Sequence, residues 1–254
     1  MVKRSPAPGC PERLLECPGC ALVYVSPRRP DEQILRVYSD PEASRDYLER
    51  LYLPHEEGRH TVFAGLLSEV AELAPARGLL LDVGAATGAL LHQARQQGWN
   101  PAGLEPSHPA REYARHHYGL TLNPGFLGEQ PLPEADCVTM LDVLEHLPAP
   151  RRALEAVAGA LRPGGLLAIL TPNWDSLARR LLGSAWDAIV PDGHLQYFRA
   201  PVLGRLLERS GLRVLRAGTR GLRPLNRRPR LRRLGEAFGW GEALWFIARR
   251  EATP

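Results

Sequence analysis

No apolar run in these 254 residues approaches the roughly 18–20 positions that a bilayer-spanning helix needs, so no membrane span is expected. Met1 to Pro11 carries basic side chains but no apolar stretch behind them, which speaks against a secretory signal and makes the cytoplasm the expected location. Only four cysteines occur, three of them before residue 21. That pattern does not make a disulfide framework in a chain this long. The formal charge of +4 is uneven, with much of the excess between Arg213 and Arg233. Aromatic residues, on which nucleic-acid platforms stack bases, are missing from Arg223–Arg233. The tract is therefore read as a solvated loop, and a nucleic-acid partner is not expected. Apolar residues at 44% and charged ones at 24% are ordinary for a soluble globular protein able to bury a substantial core.

Three stretches follow one another along the chain. Residues 1–30 are rich in Pro, Gly and Cys and form a small leader with one short strand around Leu22–Val25. Residues 31–75 read as a helical cover, with Ile34, Leu35 and Tyr38 and then Leu48, Leu51, Tyr52, Val62, Leu66 and Val70 at mostly helical intervals and a break near Pro54. From residue 76 to 254, short apolar runs alternate with helical stretches. Strands are expected at Leu79–Val83, Ala102–Leu104, Leu120–Leu122 (weak), Cys137–Leu141, Leu166–Thr171, Leu212–Ala217 and Ala243–Ala248. Helices are expected at Ala89–Gln97, Pro109–Tyr118, Arg151–Leu161 and Pro201–Ser210. Alternation at these lengths implies an α/β fold, a mostly parallel sheet with helices on both faces.

The first of those strands runs into Asp82, Gly84-Ala85-Ala86-Thr87-Gly88 and a helix. Such a turn leaves the carboxyl end of a buried strand, where open α/β sheets bind ligands. Gly84 and Gly88 permit close backbone approach, and the helix start after Gly88 offers unpaired amides. Glu105 ends the next strand, about twenty residues on, where a carboxylate can accept hydrogen bonds from two ribose hydroxyls. Together they indicate a nucleoside ligand. The loop lacks the second glycine of a dinucleotide fingerprint and the Lys-Ser or Lys-Thr of a Walker loop. An acid at the strand end also suits a cationic amino group better than a pyrophosphate.

The stretch Leu80-Leu81-Asp82-Val83-Gly84-Ala85-Ala86-Thr87-Gly88 resembles the first motif of class I S-adenosylmethionine-dependent methyltransferases, with Ala86 where glycine is commoner. Gly103-Leu104-Glu105-Pro106-Ser107 resembles their ribose-binding motif. Asp136 to Leu147 resembles their fourth strand and following turn, and Leu161 to Leu167 the turn into the fifth. Thr171-Pro172-Asn173, Gly193 to Phe198 and Leu206 to Leu212 resemble the subgroup related to ubiquinone-biosynthesis methyltransferases. The resemblance implies a Rossmann-like doubly wound sheet with an antiparallel last strand, and S-adenosylmethionine as cofactor. By it, Asp82 and the backbone of Gly84, Ala85, Ala86 and Gly88 hold the methionine end, and Glu105 and Pro106 lie at the ribose. Phe126, within Gly125-Phe126-Leu127, lies near the adenine, while Leu141 and Asp142 close the pocket.

Methyl transfer from a sulfonium is an in-line displacement, so alignment and exclusion of water are the protein's main tasks. A hydroxyl or protonated amine acceptor adds the need for a base. His194 and His146 are the candidates, since histidine exchanges protons near neutrality; turn-holding and packing roles would explain the same residues. Glu145 reads as a structural hydrogen-bond partner. Trp174, Trp186, Tyr197 and Phe198 fall in the insertion after the fifth strand, where an aromatic lid over a planar acceptor or plain core packing would each place them. Cys17-Pro18-Gly19-Cys20 is half of a zinc-ribbon pattern and Cys10 adds a third thiolate, one short of the four ligands of a structural zinc site. Cys137, on an apolar strand, reads as a core thiol. The expected function is methylation of an oxygen, nitrogen or carbon of a small-molecule acceptor. The alternatives are a non-catalytic methyltransferase-like binding subunit and an RNA-directed enzyme using the Arg220–Arg233 tract.

Overall fold

The computed structural model describes residues 3–4, 13–74, 76–221 and 235–251. Cys10, and Arg223 to Arg233 of the basic tract, lie outside the described residues. Among the described residues, ten strands fall into two sheets. The larger holds β4 (Leu79–Val83), β5 (Asn100–Leu104), β6 (Ala135–Leu141), β7 (Leu161–Pro172), β9 (Leu212–Arg220) and β10 (Ala243–Arg250) in the order β5-β4-β6-β7-β10-β9. Its first three pairings are parallel, and β10 runs antiparallel to both β7 and β9. This is the Rossmann-like arrangement with an antiparallel last strand. The smaller sheet is β1 (Lys3–Arg4), β2 (Arg13–Glu16), β3 (Val23–Ser26) and β8 (Gln196–Tyr197), all antiparallel. Pairing of β3 with β8 fastens the leader to the insertion that follows β7.

Strand residues alternate between two cores because successive side chains point to opposite faces. Leu81, Val83, Val138, Met140, Leu167 and Ile169 meet Leu154 and Val157 of α6 (Pro150–Ala160) and Leu203 and Leu207 of α7 (Ala200–Arg209). On the other face Leu80, Cys137, Leu166 and Ala168 meet Leu66, Leu67 and Val70 of α3 (Glu56–Leu73), and Leu90, Leu91 and Ala94 of α4 (Ala89–Gln96). Burial pushes the Cys137 thiol far up, so it packs as an inert core residue.

Two expected strands come out differently. Leu120–Leu122 forms no strand. Leu120 and Leu122 are buried against α4 and α5 (His108–Tyr118), and a single bridge joins Leu104 to Asn123. β7 begins at Leu161, before the Pro163-Gly164-Gly165 turn, which bulges outward between the pairs Ala135–Leu161 and Cys137–Leu166. The break near Pro54 is a sequence of tighter and wider turns. After α1 (Asp31–Ser39) and α2 (Pro41–Tyr47), a π-helical turn, Leu48–Tyr52, passes into a 3₁₀ turn, Leu53–His55, before α3 starts. Proline lacks the N–H a continuous helix would use, and π-turns concentrate at functional sites. No described helix is long and apolar enough to cross a membrane.

Candidate active site

β5 lies on one side of β4 and β6 on the other, so the chain switches direction at the carboxyl end of β4 and leaves a crevice there. A cavity of about 590 Å³ occupies it, within the roughly 300–1,000 Å³ of small-molecule sites. Asp82, Gly84, Ala85 and Ala86 line it from the β4–α4 turn, Glu105 and Pro106 from the end of β5, and Phe126 from the following loop. Leu141, Asp142 and His146 enter after β6, and His194 from the loop before β8. Of the cofactor-contact and histidine positions expected from sequence, Gly88 alone stays outside. Its φ of +77° caps α4, and it faces Ala114 and Leu120.

The turn is bound tightly to its neighbours. Gly84 and Ala85 donate their N–H groups to Leu104 O at 2.8 and 3.1 Å, Ala86 donates to Glu105 Oε2 at 2.8 Å, and Gly88 donates to Ala85 O at 2.8 Å. The Gly88 amide is thus taken within the turn itself. What this part of the turn leaves for a ligand is acceptors, carbonyl oxygens and the Asp82 carboxylate, which suit an ammonium and not a pyrophosphate. Two non-glycine residues hold left-handed backbone at the cavity wall, Ala86 at φ +45° and Asp142 at φ +54°. Such conformations cost free energy in non-glycine residues and concentrate at functional sites. The extra methyl of Ala86 packs beside Leu48 and Tyr52 of the helical cover.

Both Glu105 oxygens are engaged, Oε2 by Ala86 and Oε1 by the Ser107 N–H at 2.8 Å. Each oxygen keeps a further lone pair for a ribose hydroxyl. Burial raises the carboxyl above its usual range, opposed by those two N–H groups. Asp82 is buried, with Thr139 Oγ1 donating to its Oδ1 at 2.5 Å. Burial pushes it up to about 7, the Thr139 bond works against this, and Glu105 adds to it. Both acids thus sit in low-dielectric surroundings that a cationic or hydroxyl-bearing ligand would relieve.

The histidines lie edge to face, ring centroids 4.7 Å apart. His146 Nδ1 lies 2.9 Å from Gly193 O and 2.8 Å from the Tyr38 hydroxyl, and His194 Nδ1 lies 2.8 Å from Ala188 O. Burial pulls His146 down to about 3, with His194 adding to the shift and the Gly193 carbonyl opposing it. His194 is also lowered by burial. Both are neutral at physiological pH. Glu145, on the short turn Leu144–His146, accepts from Thr171 Oγ1 at 2.9 Å, the structural hydrogen bond expected of it, and burial holds its carboxyl well above the usual range.

The aromatic residues facing the cavity are not those of the insertion. Trp174, Trp186 and Tyr197 pack with Leu14, Val23 and Val25 beneath the smaller sheet, and Phe198 joins the main core. The lid reading gives way to core packing at all four. Tyr38, Tyr47, Tyr52 and Phe63 line the cavity instead, together with Arg59, which pairs with Asp142 at 3.0 Å and lies over the Tyr52 ring at 4.6 Å. The helical spacing of Tyr38 and Tyr52 in sequence marked a buried face without showing that it closes a ligand cavity.

Cys17 and Cys20 flank a tight turn between β2 and β3. The backbone N–H groups of Cys20 and Gly19 draw the Cys17 thiol below its usual range. Among the described residues no third Cys, His, Asp or Glu joins them. Arg220, at the start of the basic tract, lies over the Trp245 ring at 5.0 Å.

Comparison with known proteins adds a family. The methyltransferase-domain family matches residues 55–217. The chain is 31% identical over 168 residues to a ubiquinone biosynthesis O-methyltransferase of Alkalilimnicola ehrlichii, covering 60% of this chain and 67% of that protein. It is 28% identical over 196 residues to one of Xylella fastidiosa, covering 70% and 79%. The structure of 1,6-didemethyltoxoflavin-N1-methyltransferase from Burkholderia thailandensis, holding 1,6-didemethyltoxoflavin and S-adenosylhomocysteine, superposes with a TM-score of 0.65 at 17% identity, over 98% of this chain and all of the other.

Proposed function

The chain belongs to the class I S-adenosylmethionine-dependent methyltransferases, and we propose that it methylates a hydroxyl oxygen of a small, largely apolar acceptor. The observation that carries this reading is one continuous cavity reaching from Glu105 and Asp82 at one end to His146 and His194 at the other. The O-methyltransferase relatives favour oxygen over nitrogen or carbon.

S-Adenosylmethionine supplies a methyl group on a sulfonium, open to displacement by a nucleophile. Glu105 accepts the ribose hydroxyls, with Pro106 beside it. Asp82 and the carbonyls of the Gly84–Ala86 turn accept from the methionine ammonium. Phe126 flanks the adenine, and Leu141 and Asp142 narrow the passage between cofactor and acceptor. Tyr38, Tyr52 and Phe63 exclude water from the acceptor end and give a planar molecule apolar walls. His194 and His146, neutral and at the acceptor end, promote loss of the acceptor's proton as its oxygen attacks.

Incubation with methyl-labelled S-adenosylmethionine and paired acceptors, phenols or catechols against their amine counterparts, tests the reading. Label is expected on oxygen, with His194→Gln lowering kcat about 10²- to 10⁴-fold and leaving KM within a few-fold. Transfer to the amines alone would contradict it.

A further inference from the structure

The leader carries two thiols that methyl transfer does not use. Cys17 and Cys20 are both free and half-buried, on the turn Cys17-Pro18-Gly19-Cys20 between β2 and β3. The backbone of this turn is held from within and from outside. Cys17 donates its N–H to Leu22 O at 2.9 Å and its carbonyl accepts from the Ala21 N–H at 2.8 Å, with Ala21 at φ +63°. Arg205 of α7 donates to Cys20 O at 3.2 Å, and Arg199 donates to Ala21 O at 3.4 Å, which ties the turn to the main domain.

The two sulfurs are placed as a pair. The backbone N–H groups of Cys20 and Gly19, and the Cys20 thiol, all donate to the Cys17 sulfur. Gly19 lies against that sulfur, where an added Cβ would sit 4.0 Å away. Donors gathered on one sulfur favour its thiolate, the form that attacks an electrophile. Cys137 is no competitor, because it is fully buried in the core. Two thiols are a complete set for a disulfide but half a set for a structural zinc ion, and no third ligand joins them among the described residues.

We propose that Cys17 and Cys20 form a reversible dithiol–disulfide site, with Cys17 the attacking thiol, Cys20 the resolving thiol and a hydroperoxide the oxidant. The Cys17 thiolate attacks the terminal oxygen of the hydroperoxide. The S–O bond forms, the O–O bond breaks, and the leaving oxygen takes the proton that Cys17 gave up. Cys17 is then a sulfenic acid. The Cys20 sulfur attacks it, the S–S bond forms, the S–O bond breaks, and hydroxide leaves with the Cys20 proton as water. In sum the two thiols lose two electrons and two protons, and the hydroperoxide accepts them. A small dithiol reverses the change by exchange through a mixed disulfide, becoming oxidised itself.

Accessible thiols of thiolate character beside a resolving partner are the ones that oxidise reversibly. None of the residues 17–20 lines the cavity, so the pair acts apart from the methyl-transfer site and does not depend on the reading given for it.

The full chain, reduced and treated with chelator, is exposed to an equimolar amount of hydrogen peroxide, alkylated in denaturant and cut with trypsin. Cleavage after Arg13 and Arg28 leaves Cys17 and Cys20 together in the peptide of residues 14–28, with Cys10 in another. That peptide is expected to escape alkylation and to weigh two hydrogens less than the dithiol, while the Cys10 and Cys137 peptides take the label. Dithiothreitol should restore both thiols. In Cys20→Ser the reaction should stop at a sulfenic acid on Cys17 that dimedone traps, and Cys10→Ser should change nothing. A chain unfolded in urea, without the N–H donors of the turn, should consume peroxide more slowly than the folded one. A disulfide from Cys10 to either partner, or equal rates in the folded and unfolded chains, overturns the proposal. So does a zinc ion in the chain as isolated that shields both thiols from peroxide and is lost in Cys17→Ser and Cys20→Ser.

Discussion

Glu105→Gln changes one oxygen to an NH₂ group and removes a negative charge. Both carboxylate oxygens accept a backbone N–H at 2.8 Å, from Ala86 and Ser107. Whichever end the amide nitrogen takes, it faces a donor with a donor. One charge-assisted bond is lost, worth about 1.5–3 kcal/mol, and relief from burying a charge offsets part of this. The expected net destabilisation is about 1–2 kcal/mol, a fall in Tm of about 2–8 °C for a chain of this size. On the cofactor side, losing one charge-assisted bond to a ribose hydroxyl weakens binding by about 10- to 150-fold. Calorimetric titration with S-adenosylhomocysteine, beside a thermal melt of the same sample, separates the two effects. An affinity within about twofold of wild type would refute the ribose assignment, and an unchanged Tm would refute the double-acceptor geometry.

Gly84→Ala places a Cβ 2.6 Å from Val143 Cγ2 at a φ of +73°, so it should destabilise the protein by about 2–4 kcal/mol in denaturant titration. Val143→Ala in the same chain should recover the clash but not the backbone strain, a coupling readable in a double-mutant cycle. Asp82, pushed up to about 7 by burial, must ionise to accept the cofactor's ammonium. Because its pKa is raised, the ionised form is scarce below pH 7, and the Kd for S-adenosylhomocysteine should rise about tenfold from pH 8 to pH 6 with proton release on binding. A flat Kd across that range would remove Asp82 from the ammonium site.

The stretch proposed to hold the nucleoside was legible because its features are local. A buried apolar run, an acid at its end, two glycines around a turn and a second acid about twenty residues on are all visible within one βαβ stretch. The strands of the large sheet were readable for the same reason, as continuous apolar runs between helices. The acceptor half depends on contacts between distant segments. Tyr38, Tyr52 and Arg59 reach the cavity only because the cover folds over the ends of β4 and β6. Trp174, Trp186 and Tyr197 leave it because the leader adds strands to the insertion and buries them. Gly88 reads as a ligand contact from its spacing, yet its carbon faces α5. Glu145 was recognised as a hydrogen-bond partner, but its second oxygen, idle beside two histidines, is a feature of three dimensions alone.

The central claim is that the turn from Asp82 to Gly88, with Glu105, makes a nucleoside site without a phosphate cradle. Isothermal titration of the wild-type chain with S-adenosylhomocysteine, and in parallel with a nicotinamide dinucleotide and ATP, tests it most directly. The account predicts one site per chain for S-adenosylhomocysteine, with a Kd of about 1–100 μM as is usual for enzyme ligands, and no heat with either phosphate-bearing nucleotide. No heat with S-adenosylhomocysteine, or tighter binding of a phosphate-bearing nucleotide, would contradict it.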